Sequence, residues 1–234
     1  MTCIEIHNLS KVFPHPAGEL HVLKDLSLCI DRHSFTVILG RSGCGKTTLL
    51  RMIAGLEQQT CGQVIFHPRQ QKVGFVFQEA RLMPWLNVQD NVRFLHQDIA
   101  SEELLHILHL LKLHPFAHFY PREISGGMAQ KAAIGRALCY QSDIILMDEP
   151  FASLDYFTRG ELQQELLHIF DSLSKTIIFV THNIDEAVLL GDNIVILDEG
   201  KIAHILHNKS DRAQRRQTDY QDATRQKIIE LLQK

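Results

Sequence analysis

The chain has 234 residues, and its 24 lysines and arginines stand against 27 aspartates and glutamates, for a formal charge of −3. This length suits one large domain, or one domain with a subdomain inserted into it. The lack of a basic excess argues against a nucleic-acid partner. The five cysteines are odd in number, scattered and without a CxxC pair, which argues for a reducing compartment and against a disulfide framework or a zinc site.

The N-terminus, MTCIEIHNLSKVF, lacks the basic segment and following apolar segment of a signal peptide. No apolar run approaches the roughly 18 residues that are needed to span a bilayer. The longest candidate, LLHILHLLKL at 104–113, is interrupted by His106, His109 and Lys112. If the protein acts at a membrane, we expect another chain to supply the spanning helices.

Short β-branched and apolar runs alternate with helical patterns, which predicts an α/β fold with helices on the faces of a sheet. The first 30 residues predict an antiparallel edge, with strands near 3–7 and 20–30. Further strands are predicted at 34–40, 63–66, 72–77, 143–148, 176–181 and 193–198. Three of these contain continuous apolar runs, at 35–39, 144–147 and 177–180, as expected of parallel strands that are buried on both faces.

Helical patterns are predicted at about 46–55, 127–139, 157–172 and 184–190. Between the strands, residues from about 84 to 123 show no strand pattern and carry helix-like repeats at 88–95 and 101–113. Ser101 is the predicted N-cap of the second repeat. We therefore expect one domain over 1–234, in which a helical subdomain at about 84–140 is inserted into the core sheet. The tail from 207 predicts a solvated polar loop at KSDRAQRR (209–216) and an amphipathic helix at RQKIIELLQK (225–234).

GRSGCGKT at 40–47 matches the full phosphate-loop pattern between a buried strand and a helix. Glycines let the backbone wrap so closely that its N–H groups face phosphate oxygens, and the following helix adds its positive end. Lys46 is expected to reach the β- and γ-phosphates, Thr47 to bind Mg²⁺, and Thr48 to lie near the α-phosphate. The residues predicted to bind the nucleotide here are Gly40, Arg41, Ser42, Gly43, Cys44, Gly45, Lys46, Thr47 and Thr48.

IILMDEP at 144–150 is an apolar strand that ends in two acids. Asp148 is placed where a carboxylate would hold Mg²⁺, and Glu149 is the natural general base for an attacking water. Together with the phosphate loop, this motif indicates a nucleoside triphosphate and Mg²⁺. It leaves an ATPase, a GTPase and a small-molecule kinase as alternatives.

ISGGMAQ at 124–130 is a second candidate anion site. Ser125 can cap a helix that starts near 126, while Gly126 and Gly127 leave the N–H groups of that helix bare for a phosphate. His182 follows a buried strand at the carboxyl edge of the sheet, where ligands gather in open α/β folds. Gln78 ends another strand, and its amide can bind Mg²⁺ or orient water.

These motifs, in this order and spacing, resemble the ATP-binding subunits of ABC transporters over essentially the whole chain. ISGGMAQ is similar to the family signature, Gln78 to the Q-loop glutamine, SLD at 153–155 to the D-loop, and His182 to the switch histidine. Phe13 matches the aromatic residue that stacks on adenine. The resemblance implies ATP hydrolysis by a homodimer in which the signature of one chain closes over ATP held by the other, with each Asp155 near the opposing site.

The resemblance also assigns roles to the residues of this site. The implied catalytic residues are Lys46, Gln78, Glu149 and His182, and the implied Mg²⁺ ligands are Thr47, Gln78 and Asp148. Besides the phosphate loop, the implied nucleotide-binding residues are Phe13, Ser125, Gly126, Gly127 and Asp155. ATP and Mg²⁺ are the implied cofactors.

QEARLMPWLNVQDNV together with SGGM resembles the importer group for nitrate, taurine and aliphatic sulfonates. This implies a subunit bound peripherally at the cytoplasmic face of the inner membrane, with a permease and, indirectly, a solute-binding protein as partners. The segment after Gln78, including Arg81 and Leu82, would then face the membrane partner. Trp85 either contacts that partner or packs between the subdomain and the sheet. An importer of another small solute, such as a thiamine-precursor pyrimidine, an exporter, and a regulatory ABC ATPase remain alternatives.

Three residues of the signature helix differ from the common family pattern. Met128 replaces a glutamine, Lys131 an arginine and Gly135 an alanine. A glycine inside a helix costs about 1 kcal/mol relative to alanine. Because none of these positions is among the implied catalytic residues, we expect hydrolysis to be intact.

Overall fold

A computed structural model describes residues 1–16, 18–208, 210 and 214–232, without the side chain of Arg216. The chain divides into two compact units, one formed by Met1–Gln71 with Thr176–Lys234 and the other by Lys72–Lys175. The second unit includes the segment at about 84–140, and the expected single domain over 1–234 stays a prediction. Within the described part of the chain, no helix has the length and hydropathy to cross a membrane.

In chain order, the elements are β1 (Thr2–His15), β2 (Gly18–Asp31), β3 (Phe35–Leu39), α1 (Lys46–Ile53), β4 (Cys61–Phe66), β5 (Val73–Val76), α2 (Val88–Val92), α3 (Ser101–Leu110), α4 (Gly126–Cys139), β6 (Ile144–Asp148), α5 (Tyr156–Leu173), β7 (Thr176–Thr181), α6 (Ile184–Leu190), β8 (Asn193–Asp198), β9 (Lys201–His207) and α7 (Thr218–Leu232). Short 3₁₀ turns lie at His114–Phe116, Pro121–Glu123 and Gln214–Arg216.

The first unit contains an antiparallel sheet in the order β2-β1-β4, which confirms the expected N-terminal antiparallel edge. It also contains parallel strands, with β3 paired to β7 on one side and to β8 on the other. Every residue of β3 and β7 is buried, as the continuous apolar runs predicted. Strand β9 was missed by the sequence prediction. It pairs antiparallel with β8 and alternates between exposed and half-buried residues, as expected of an edge strand.

The prediction of a solvated loop at 209–216 is wrong for Arg215. Residues 209 and 211–213 lie outside the described residues, but Arg215 is only 4% exposed. Its guanidinium donates to the carbonyls of Gly191, Asn208 and Ser210 and to the carboxylate of Asp192. These bonds satisfy a buried charge, so this arginine anchors the tail. Helix α7 starts earlier than predicted, at 218, and packs against α6.

The second unit pairs β5 with β6 in parallel and packs α4 against β5, α2 and α3. Gly135 lies where α4 approaches its neighbours most closely. A Cβ at this position would lie 2.8 Å from Leu111 Cδ1 and 3.2 Å from Val92 Cγ2. Glycine therefore lowers the helix propensity at this position but allows α4 to pack closely against its neighbours.

The prediction that Ser101 caps α3 is wrong. The N-cap is Ala100, which makes no side-chain cap bond, and Ser101 is the first helical residue. Helix α3 does carry Glu102 and Glu103 in its first turn. These carboxylates stabilise the N-terminus of α3 electrostatically, although no side chain caps it.

Asn91 organises the segment between β5 and α2. It is fully buried, and its amide nitrogen donates to the carbonyls of Met83, Leu86 and Asn87. Its amide oxygen accepts from the Met83 N–H at 2.7 Å, while Arg136 of α4 donates to the Asn91 carbonyl at 3.3 Å. One side chain thus holds the loop that carries Trp85, which is itself 70% exposed.

Replacing Asn91 with alanine should lower the free energy of unfolding by about 3 kcal/mol, because the part-buried Met83 N–H and Leu86 carbonyl would both lose the side chain that pairs with them. Urea denaturation should report this loss. The emission of Trp85, the only tryptophan in the sequence, should change as its loop loosens. Gln89→Ala on the same helix is the matched control, since the Gln89 side chain makes only an exposed 3.5 Å contact with His118. Equal stability of the two variants would contradict the role given to Asn91.

Candidate functional site

The phosphate loop runs from β3 into α1 in a conformation that requires glycine. Gly43 and Gly45 have φ angles of +83° and +104°, in a region that is favourable only for glycine. A Cβ at Gly40 would collide with the Leu197 carbonyl and lie 2.7 Å from Cys44 Sγ. The turn is therefore tight on its inner side, while residues 41–43 are exposed.

Lys46 begins α1 and is only 4% exposed. Its ammonium donates to the carbonyls of Gly40 and Arg41, at 2.9 Å each, which keeps the positive charge beside the loop. Burial raises the pKa of the Cys44 thiol, although the Lys46 charge opposes this effect, so the thiol stays neutral. Thr47 and Thr48 follow on the first turn of α1 and are half-buried.

His182 lies at the same edge of the first unit as the phosphate loop. Strands β3 and β7 are parallel, and Leu39 pairs with Thr181, so Gly40 and His182 are the next residues along two neighbouring strands. The backbone on both sides of His182 is held in place. Thr181 Oγ1 donates to Glu186 at 2.5 Å and accepts from the Asn183 N–H, while Asn183 caps α6.

Phe13 belongs to the β1–β2 hairpin, which also contacts the phosphate loop. Phe13 pairs with Leu20 of β2. Two residues further along β2, the Val22 carbonyl would lie 2.9 Å from a Cβ at Gly45. The first unit therefore brings together the phosphate loop, His182 and the hairpin that carries Phe13.

In the second unit, the parallel strands β5 and β6 end side by side, with Val76 paired to Met147. Gln78 follows one strand, Asp148 ends the other and Glu149 comes directly after it, so all three lie at the same edge of this strand pair. Asp148 is 7% exposed. Glu149 has a φ angle of +45°, a costly conformation for a residue with a side chain, and the chain turns sharply there.

The signature segment forms the N-terminus of α4. Ser125 is the N-cap, and its hydroxyl accepts from the Met128 N–H at 3.2 Å, which confirms the predicted cap. Gly127 packs tightly, because a Cβ there would lie 2.5 Å from Thr158 Cγ2, whereas the nearest atom to a Cβ at Gly126 is Leu154 Cδ2 at 4.0 Å. Gln130 is buried and donates to the Phe77 carbonyl at 3.1 Å, so α4 is tied to the residue before Gln78.

Asp155 has a structural role that the sequence reasoning missed. It is the N-cap of α5 and accepts from the N–H groups of Phe157 and Thr158 and from the Thr158 hydroxyl. These bonds, with the Thr158 hydroxyl first, hold the pKa of Asp155 below its usual value. The cap is therefore charged at neutral pH and weakens only as pH falls through that lowered value. An aspartate directly before a helical pattern is an N-cap signal that could have identified it.

The donor groups fit ATP and Mg²⁺. Backbone N–H groups at the start of α1, with the Lys46 ammonium, suit a polyphosphate. The hydroxyl of Thr47 in the first unit, and the amide of Gln78 and the carboxylate of Asp148 in the second unit, are each an oxygen donor of the type that Mg²⁺ prefers. When bound, Mg²⁺ would neutralise charge on the phosphates. A carboxylate at Glu149 can accept the proton of an attacking water.

Comparison with known proteins shows the family of the chain. The profile of the ABC transporter family matches residues 23–152. The chain is 38% identical to an aliphatic sulfonates import ATP-binding protein of Bacillus cereus, over 97% of this chain and 94% of that protein. It is 41% identical to a nitrate import ATP-binding protein of Synechocystis sp., over 88% of this chain but only 33% of that protein.

A solved dimeric structure of an ATP-binding cassette, in a post-hydrolysis state bound to ADP and Pi, superposes with a TM-score of 0.78. It is 31% identical and covers 89% of this chain and 100% of that one. The fold and the family match define an ATPase that uses ATP and Mg²⁺. The chain belongs to the ABC transporter family. The role of each residue predicted above stays a prediction.

Proposed function

We propose that this chain is the ATP-hydrolysing subunit of an importer that takes up a small anionic solute, such as a sulfonate, taurine or nitrate, through a separate membrane permease. The relatives named above are import proteins for small anions, which supports the choice of solute class. The chain itself would bind peripherally at the cytoplasmic face of the membrane. A solute-binding protein would then deliver the solute on the other side.

One observation carries the proposal, namely a hydrogen-bonded link from the signature helix to an exposed groove. Helix α4 donates through Gln130 to the Phe77 carbonyl and through Arg136 to the Arg81 carbonyl. The segment that starts at Arg81 borders a groove of about 480 Å³. The groove is lined by Trp85, Leu86, Asp90, Arg93, Phe94, Gln97 and Asp98.

This groove suits the membrane partner. Trp85 is 70% exposed, which favours a partner contact over packing between the subdomain and the sheet. Exposed aromatic side chains are enriched at protein interfaces. A partner bound in this groove would be linked to Gln78 through α4, because Arg136 bonds to the segment beside the groove and Gln130 bonds to the residue before Gln78. Closure of the dimer around ATP could therefore move the permease.

We further propose that two copies of the chain form the working unit, with ATP shifting the population toward the closed dimer. The solved relative is dimeric. Within the second unit, the N-terminus of α4, which Ser125 caps, lies beside the first turn of α5, which Asp155 caps. This edge would complete the site of the other copy.

Purification of the membrane complex that contains this chain tests the import proposal. After reconstitution in proteoliposomes, phosphate release should rise when a solute-binding protein loaded with taurine, an alkanesulfonate or nitrate is added outside. The same complex with Glu149→Gln is the control, and it should release no phosphate. Stimulation by a pyrimidine would instead support an importer of that solute. Stimulation without any binding protein would support an exporter, and the absence of a permease would support a regulatory ABC ATPase.

A further inference from the structure

The ammonium of Lys11 lies between the ring of Phe13 and the segment that follows the phosphate-loop helix. Its Nζ is 4.5 Å from the centroid of the Phe13 ring. It also donates to Glu57 Oε1 at 2.5 Å and to the Gln58 carbonyl at 2.7 Å. The Lys11 side chain is only 12% exposed, so the ammonium is partly shielded from solvent, although its bond to the Gln58 carbonyl lies at the surface.

The anchor of Lys11 is itself part of the phosphate-loop region. The N–H groups of Leu56 and Glu57 donate to the Arg51 carbonyl in α1. The segment that receives the ammonium is therefore tied by hydrogen bonds to the end of the helix that begins at Lys46. Lys11 connects the strand that carries Phe13 to this segment, across 46 positions of sequence.

These contacts limit the movement of the Phe13 ring. The ring is half-buried, and a cation is attracted to one of its faces. A ring that is already held in place loses less rotamer freedom when a flat ligand stacks on its other face. Removal of the cation should therefore weaken the stacking of a base and leave the phosphate contacts intact.

We propose that Lys11 is a positioning residue for the nucleotide base, acting through Phe13. The proposal rests on the adenine-stacking role given to Phe13 as part of the proposed ATP site. Two of the three N–H groups of Lys11 are directed to Glu57 and Gln58, so the proposal assigns Lys11 no direct contact with the nucleotide. Its effect belongs to the affinity for the base and not to the chemical step.

The test compares the binding of Mg-ADP and Mg-pyrophosphate to the full chain by isothermal titration calorimetry. Both ligands carry two phosphates, neither is hydrolysed, and only ADP has a base. Lys11→Met should weaken ADP binding about five-fold and leave pyrophosphate binding unchanged. Lys11→Arg should restore most of the ADP affinity. Lys201→Met, which removes an exposed lysine of β9 in the same unit, should change neither affinity.

A double-mutant cycle with Phe13→Ala separates the two levels of the proposal. If Lys11 acts through the ring, Lys11→Met should have no further effect on ADP binding in the Phe13→Ala background. Equal weakening of ADP and pyrophosphate by Lys11→Met would overturn the proposal, because it would indicate a general loosening of the unit. An unchanged ADP affinity in Lys11→Met, with weakening in Phe13→Ala, would also overturn it. If Phe13→Ala itself leaves ADP binding unchanged, the adenine role of Phe13 is wrong.

Discussion

Lys46→Ala should reduce phosphate release from ATP by at least about 100-fold, the loss typical of removing a group that stabilises transition-state charge. The structure supplies the reason. Lys46 is held against the carbonyls of Gly40 and Arg41, so its charge stays beside the loop where the terminal phosphates would bind. Alanine removes that charge and also leaves the two carbonyls without this donor.

The measurement is steady-state phosphate release by the purified chain, with a thermal melt of each variant to confirm folding. Arg51→Ala is the matched control, because it removes an exposed positive charge from the same helix. The control should keep its activity. If Lys46→Ala retains more than about a tenth of the wild-type rate while folded, the ammonium does not make the transition-state contact assigned to it.

Gly126→Asp should strongly weaken ATP-dependent dimerisation. The test uses the Glu149→Gln background, in which ATP should not be hydrolysed and the closed dimer should accumulate. A carboxylate at the first position of α4 would lie where the N-terminus of this helix is proposed to bind phosphate. It would repel the γ-phosphate of the ATP held by the partner copy. We expect the dimer dissociation constant to rise at least about 30-fold, an effect of about 2 kcal/mol.

Destabilisation of α4 would not explain weaker dimerisation of this variant, because the aspartate should make that helix more stable. The first turn of α4 has no acidic residue, so an aspartate there should stabilise the helix. The position also has room, since the nearest atom to a Cβ is 4.0 Å away. Gly126→Ala adds the Cβ without the charge and should dimerise much better than Gly126→Asp. Sedimentation with saturating Mg-ATP reports the outcome.

Two results would contradict these expectations. A dimer of undiminished affinity in Gly126→Asp would show that the signature does not hold the partner's phosphate. A Glu149→Gln chain that stays monomeric with saturating ATP and Mg²⁺ would make the cross-chain arrangement itself wrong for the isolated protein.

Many structural features could be predicted because they depend on short stretches of chain. The apolar runs of β3, β6 and β7 predicted buried parallel strands, since a strand covered on both faces must be apolar throughout. Ser125 was predicted as a cap because its hydroxyl bonds to an N–H only three residues away. The same local logic was wrong at Ser101, where the helix begins one residue too early for that hydroxyl to cap it.

The tertiary structure decided what depends on distant partners. Gly135 was predicted only to weaken its helix, yet its neighbours Leu111 and Val92 leave no room for a Cβ. Arg215 was expected in solvent, yet carbonyls up to 24 residues away surround it. Asn91 accepts a hydrogen bond from Arg136, which is 45 positions away, and no local sequence pattern predicts such a pair.

The sequence by itself determined the chemistry of this protein, and the tertiary structure determined how its chemical groups are held. Phosphate and Mg²⁺ binding depend on residue types at fixed short spacings, which a single loop or strand end can supply. Positioning depends on which segments meet in space, as when Lys11 places its ammonium between Phe13 and Glu57. Such contacts arise only when burial of the core brings remote segments together, because that burial offsets the entropy lost when long loops close.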